Sequence, residues 1–200
     1  MSGFARHRRS GRVIATFTGF EAELLRSLAS QLVELLRNER AVPQASDDPL
    51  EAMLDFSGPV SEPEDPVLAR LFPTAYVGDE QAAAEFRRFT EGALRDSKAT
   101  AAGLVIDGLE EAGLPAEVPA DGLMIDLELE PAEAETWMRC FTDVRLALAT
   151  RLGVEEGDEE RWLALPDEDP RAQAHEIYDW VGYLQETLVH ALSGLPGEPS

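Results

Sequence analysis

Apolar positions recur along this chain at two periods, and each period marks a different kind of element. Residues 12–17 (RVIATF) are rich in β-formers and predict a short strand. Directly after it, Thr18 followed by Glu21 fits a capping box, and Leu24, Leu25, Leu28, Leu32, Leu35 and Leu36 trace one stripe at helical spacing. A helix over about residues 20–37 follows. Residues 41–66 lose all periodicity. Pro43, Pro49, Gly58, Pro59 and Pro63 break regular structure, and Asp47 and Asp48 add charge, so this stretch reads as an acidic, Pro-rich surface loop.

Asp65 as N-cap and Pro66 at the first helical position predict a short helix to about residue 72, which Pro73 stops. Asp79 opens a long helical region to about residue 112, with Ala83, Phe86, Phe89, Ala93, Leu94, Ala101, Leu104, Val105 and Leu109 expected on its inner face. Gly92 and Gly103 each cost about 1 kcal/mol relative to Ala and leave open whether this is one helix, bent or straight, or two. Residues 123–129 (LMIDLEL) alternate as a strand does. Pro131 then opens a helix with the stripe Trp137, Cys140, Phe141, Val144, Leu148 and Leu152, closed by Gly153. A short helical segment surrounds Trp162. Asp169 and Pro170 begin a last helix that turns Ile177, Trp180, Val181, Leu184, Leu188 and Leu192 inward.

The expected fold is mainly α: a helical bundle of about five to seven helices with a small two-stranded β ribbon. One domain covers residues 12–194, preceded by a flexible basic arm over 1–11 and followed by a disordered tail over 195–200. Strand-then-helix occurs twice, and at an offset of 112 the helix starts share Glu-Ala-Glu (TGFEAE at 18–23, EPAEAE at 130–135).

Charge changes this picture more than composition does. The chain carries 39 acidic and 17 basic residues, a net charge of −22. Four of the basic residues, Arg6, Arg8, Arg9 and Arg12, precede the first acid, so residues 13–200 set 13 basic against 39 acidic side chains. Such a body repels phosphate, which disfavours direct DNA contact everywhere except the arm. High charge also serves solubility by itself. No apolar run approaches the ~18–20 residues that span a bilayer, and no secretory h-region follows Arg12. With a single cysteine, Cys140, a cytoplasmic location is expected.

Catalytic and metal-binding patterns are not apparent. His7, His175 and His190 are the only histidines, and neither His175 nor His190 has a Glu three residues upstream, as a di-metal bundle requires. One cysteine cannot form a zinc knuckle. There is no Gly-x-Ser-x-Gly elbow and no glycine-rich phosphate loop. No enzyme, metal or cofactor is expected. The candidate site residues are therefore of three kinds. Arg6, Arg8, Arg9 and Arg12 are candidates for a nucleic-acid or protein contact. Tyr178 and Tyr183 flank Trp180 on the last helix as candidates for a partner groove or a homodimer contact. Cys140, on an apolar stripe where a thiol usually acts as a small hydrophobe, is the only candidate redox residue.

Four stretches together resemble one family: DPVLARLFPTAY (65–76), AAAEFRRFTEGALRDSKATAA (82–102), VRLALATRLGV (144–154) and IYDWVGYLQETLVHAL (177–192). They are similar to the actinobacterial oxidative-stress transcriptional regulators of the AosR type, long filed as a domain of unknown function. The resemblance implies a non-enzymatic cytosolic regulator that acts with a sigma factor or RNA polymerase on cysteine-biosynthesis genes. A Clp protease-associated adaptor, or another protein-binding module, is the alternative that the family's gene neighbours imply. The redox-sensing form of the family uses a C-x-x-x-C pair. Here Cys140 stands alone, which leaves only an intermolecular disulfide or a sulfenic acid for that role.

Overall fold

The computed structural model describes residues 2–38, 59, 61–119, 122–166 and 168–194. Most of the expected Pro-rich loop, and the expected tail, lie outside the described residues. The described part is mainly α, with six helices and one small antiparallel sheet. In chain order the elements are β1 (Ala5–Arg6), β2 (Val13–Thr18), α1 (Gly19–Asn38), α2 (Pro66–Leu71), α3 (Glu80–Glu111), β3 (Met124–Leu129), α4 (Pro131–Leu152), α5 (Glu159–Leu163) and α6 (Pro170–Ser193).

β2 and β3 pair antiparallel, with Val13 opposite Leu129 and Thr18 opposite Met124. Alternation then decides which face is covered. Val13, Ala15 and Phe17 join Ile125, Leu127 and Leu129 beneath the sheet, while Thr16 donates to Asp126 at 2.7 Å on the wet face. Each long strand runs directly into a helix. The Glu21 carboxylate accepts from the Thr18 amide at 2.8 Å at the start of α1, and Glu133 accepts from the Glu130 amide at 2.7 Å at the start of α4. These pairs sit at equivalent places in the sequence echo, so strand and cap are repeated together.

α1 packs along α3, α4 packs along α6, and the two pairs meet where α3 crosses α4. Leu25, Leu32 and Leu36 of α1, Trp137 and Phe141 of α4, and Val181, Leu184 and Leu188 of α6 form one continuous core with the sheet. α2 lies on α4 with Val67, Leu68 and Leu71 buried. Its cap is as expected: Asp65 accepts from the Val67 amide at 2.7 Å. Gly153 ends α4 in the left-handed conformation, φ 68°, which suits a residue without Cβ.

Two expectations about the fold change. The ribbon has a third strand, because the N-terminus is not a free arm. Ala5 and Arg6 pair with Ile14 and Val13, and Phe4 is 6% exposed. Its ring lies 5.7 Å from Phe17, 6.1 Å from Trp137 and 6.0 Å from Phe141, while its amide donates to Thr187 of α6 at 3.1 Å. One aromatic residue in front of the basic run thus ties the segment to the core.

The second change concerns α3, which is one helix through Gly92 and Gly103. Its C-terminal half turns Ala101, Val105 and Leu109 inward as expected but leaves Leu104 exposed. Its N-terminal half is rotated: Arg87, Glu91 and Arg95 are buried, whereas Phe86, Phe89 and Leu94 are exposed.

Candidate functional site

The basic residues near the N-terminus are presented on a hydrogen-bonded hairpin turn rather than on a loose arm. The His7 amide donates to the Arg12 carbonyl at 2.8 Å, the Gly11 amide donates to the His7 carbonyl at 2.9 Å, and the Ser10 amide donates to His7 Nδ1 at 3.2 Å. Arg8 and Arg9 stand exposed at the tip of this β1–β2 hairpin. Among the described residues, Arg6, Arg8 and Arg9 form no ion pair. Arg12 differs. It pairs with Glu128 at 3.5 Å and with Glu130, and so clips β2 to the end of β3. Two of the four candidate arginines, Arg8 and Arg9, therefore share the basic tip, Arg6 belongs to β1 with its guanidinium near Gly194, and Arg12 is committed to the sheet.

Cys140 sits where the apolar stripe of its helix places it. It is 1% exposed between the α4 stripe and the core. Burial, with a smaller contribution from the Asp143 carboxylate, pushes its thiol up to about 12. Thiolate is the species that peroxide and disulfides react with, so a neutral thiol without solvent contact is inert. The nearby Asp143 is itself buried. Burial pushes its carboxyl upward, while Lys98, donating to Oδ1 at 2.6 Å, pulls it the other way.

The buried half of α3 forms a polar ladder that the apolar pattern does not reveal. Glu91, 2% exposed, accepts from Arg87 Nη1 at 2.7 Å and from Arg95 Nε at 2.9 Å. Arg87 also donates to the Phe72 carbonyl at 3.2 Å, and Arg95 donates to the Leu36 carbonyl at 3.3 Å while its guanidinium lies 4.8 Å from the Phe72 ring. Leu36 lies in the last turn of α1, and Phe72 is the C-cap of α2. Carbonyls at helix ends lack intrahelical donors, and guanidinium groups supply them here.

Tyr178 and Tyr183 do not share a groove. The Tyr183 hydroxyl leans on the N-terminal segment at Gly3. Tyr178 instead faces a cleft of about 1010 Å3 lined by α4, α5 and α6 together with Arg70 of α2. Its hydroxyl accepts from Arg145 Nη2 at 3.3 Å, and its ring lies 5.0 Å beneath the same guanidinium. On the cleft's other wall Trp162 stacks on His175, with ring centroids 4.5 Å apart and planes at 17°. Trp162 Nε1 donates to Asp158 at 2.7 Å, and His175 Nδ1 lies 3.3 Å from Asp179. Among the described residues no three His, Cys, Asp or Glu side chains converge as a metal site, and no helix is long and apolar enough to cross a membrane.

The profile of the family described as Domain of unknown function (DUF2017) matches residues 1–192. The chain belongs to this family. Within it, the DUF2017 chain is 32% identical to the oxidative stress regulator AosR of Mycobacterium tuberculosis over 200 residues, covering 94% of this chain and 85% of that protein. A Mycobacterium leprae relative named for the same regulator is 34% identical over 186 residues, covering 86% and 78% of the two chains. These relatives are named as regulators rather than as enzymes. No solved structure matches the chain.

For this DUF2017 protein, sequence reasoning named the hairpin arginines and Tyr178 as candidates and did not single out Arg145, Arg95, Glu91 or the Trp162–His175 stack. A usable signal for the ladder was present. Arg87, Glu91 and Arg95 follow one another at i,i+4 spacing, the pattern of mutually paired charges on one helix face. Whether such a face is wet or buried depends on what packs over it. Arg145 carried no comparable signal, because its partners lie 33 and 40 residues away on another helix.

Proposed function

We propose that this protein is a non-enzymatic regulator in the oxidative-stress response, and that it acts by touching a sigma factor or RNA polymerase. The reading rests on the near full-length similarity to relatives named oxidative stress regulator AosR. Cysteine-biosynthesis genes are its proposed targets, and the cytoplasm its proposed location. The exposed tip Arg8–Arg9, set on a hydrogen-bonded turn against an otherwise acidic body, supports a contact in which the hairpin seeks an acidic patch while the body meets a basic surface. A fixed hairpin costs less ordering entropy on binding than a free arm would. Oxidant sensing through Cys140 is not part of this proposal, since the thiol is buried and neutral.

The test is capture of the tagged full-length chain from its own cells before and after peroxide, followed by mass spectrometry. Enrichment of RNA polymerase or a sigma factor, reduced by Arg8→Ser/Arg9→Ser, is the expected result. Enrichment of Clp protease components with no polymerase would replace this reading with that of a protease adaptor. Retention of promoter DNA by the purified protein alone, unchanged in the double variant, would show that the contact is neither protein-mediated nor made by the hairpin.

A further inference from the structure

The cleft between α4 and α6 contains an arginine that meets no acid. With 39 carboxylates against 17 basic residues, an arginine in this chain has many acids to pair with. Arg145 donates instead to two neutral groups, Gln185 Oε1 at 3.0 Å and the Tyr178 hydroxyl at 3.3 Å. Its Nε is buried with no hydrogen-bond partner, and it forms no ion pair among the described residues. Its pose is set from below and from the side. The Tyr178 ring lies under the guanidinium, and Gly182 of α6 allows close approach: a Cβ there would lie 3.2 Å from Nε and 3.3 Å from Cζ. A planar fork fixed in this way is preorganised for a carboxylate.

Among the described residues, most of the other charge lining the cleft is opposite, with Arg70 the one further arginine. Glu155, Glu156, Glu159 and Glu176 line the same cleft and form no ion pair among the described residues. The apolar side chains of Leu146 and Val154 line the same cleft, as does Trp162, whose ring is packed by His175 and Arg161. A simple anion approaching Arg145 is repelled by the glutamates, and a simple cation is repelled by Arg145 itself. A solute with a carboxylate at one end and an ammonium at the other is favoured at both. The volume of about 1010 Å3 suits something between an amino acid and a short peptide.

We propose that this cleft binds a small zwitterion of the amino-acid or short-peptide class. Its carboxylate rests on the Nη atoms of Arg145, its ammonium faces the glutamates that line the cleft, and its side chain lies against Leu146 and Val154. The site is separate from the hairpin and does not depend on the regulator reading.

Calorimetric titration of the full-length protein at low salt, with the amino acids and a set of di- and tripeptides, tests this directly. At least one member is expected to bind saturably with one-to-one stoichiometry. Its N-acetylated and C-amidated counterparts each lose one charged end and are expected to bind at least about tenfold more weakly. Arg145→Gln is expected to weaken the zwitterion by a similar factor, and circular dichroism checks that the variant folds. Glu155→Gln/Glu176→Gln alters exposed positions only, and is expected to weaken the zwitterion while narrowing its advantage over the N-acetylated form. Single amino acids binding without peptides, or the reverse, identifies the source. The proposal is overturned if no zwitterion binds, if the N-acetylated form binds as tightly as its parent, or if a folded Arg145→Gln protein binds unchanged.

Discussion

Glu91 and Arg95 stand one helical turn apart on α3 and meet at 2.9 Å, both out of solvent. Arg87 approaches the same carboxylate from the other side at 2.7 Å, so one acid is shared by two guanidinium groups. Removing that acid leaves two buried cations facing each other. Glu91→Gln is therefore expected to destabilise the protein by about 3–5 kcal/mol in urea unfolding. Glu135 and Arg139 form the contrasting case, an exposed i,i+4 pair at 3.7 Å, and Glu135→Gln is expected to cost well under ~1 kcal/mol. Equal effects of the two substitutions would show that burial does not set the strength of the ladder.

Phe4 separates anchoring from recognition in the N-terminal segment. Its ring contacts Phe17, Trp137 and Phe141, so Phe4→Ala is expected to lower stability by about 3–5 kcal/mol. Arg8→Ser/Arg9→Ser changes only the exposed tip and is expected to leave stability within about 0.5 kcal/mol of the parent. Deletion of the whole segment would combine both effects. Chemical denaturation of the two variants side by side checks this, and an undiminished midpoint for Phe4→Ala would contradict the packing described.

Cys140 is expected to resist iodoacetamide and peroxide in the native protein at pH 8, and to react within minutes once urea unfolds it. Intact mass under non-reducing conditions reads both. A second consequence follows from linkage. The folded thiol titrates at about 12 against an ordinary value of 9.0, so folding favours the protonated form. The stability this supplies is complete below about pH 9 and is lost as pH rises from there toward 12. Cys140→Ala is expected to flatten that part of the alkaline stability profile, and rapid native alkylation would contradict the burial.

Asp65 behaves in the opposite sense. Burial alone would raise its carboxyl, but the hydrogen bond from Arg151 at 2.5 Å and those from the Val67 and Leu68 amides outweigh burial and hold it below the ordinary value of 3.8. Its stabilising effect is thus present above that value and is lost as pH falls through the depressed one. Asp65→Ala is expected to cost about 1 kcal/mol at neutral pH, a typical N-cap loss, and less in acid. Thermal melts from pH 7 to pH 3 measure the convergence of the two proteins, and a constant difference would contradict it.

Several elements are legible in the sequence alone. Local chemistry specifies them: Asp65-Pro66 and Asp169-Pro170 start helices, Gly153 ends one, and Thr18 with Glu21 marks the passage from strand to helix. Capping and turn preferences act within a few residues, so they can be read from the sequence alone. The apolar stripes of α1, α4 and α6 were legible for the same reason, since a stripe needs only its own helix to define it.

What lay beyond the sequence concerns contacts between elements distant in the chain. Hydrophobic periodicity placed Phe86, Phe89 and Leu94 inside, yet Arg87, Glu91 and Arg95 occupy that place, because helix-end carbonyls at Leu36 and Phe72 need donors that apolar side chains cannot supply. Phe4 read as part of a loose arm because its partners lie 13, 133 and 137 positions away. Arg145 acquired its unpaired pose only when α6 brought Tyr178, Gly182 and Gln185 alongside α4. By itself the sequence determined most of the helices, the two long strands and the residues that start and stop them. Only the tertiary structure decided which charges are buried and which are left free to bind, because the energy of a charge depends on the groups that surround it in space.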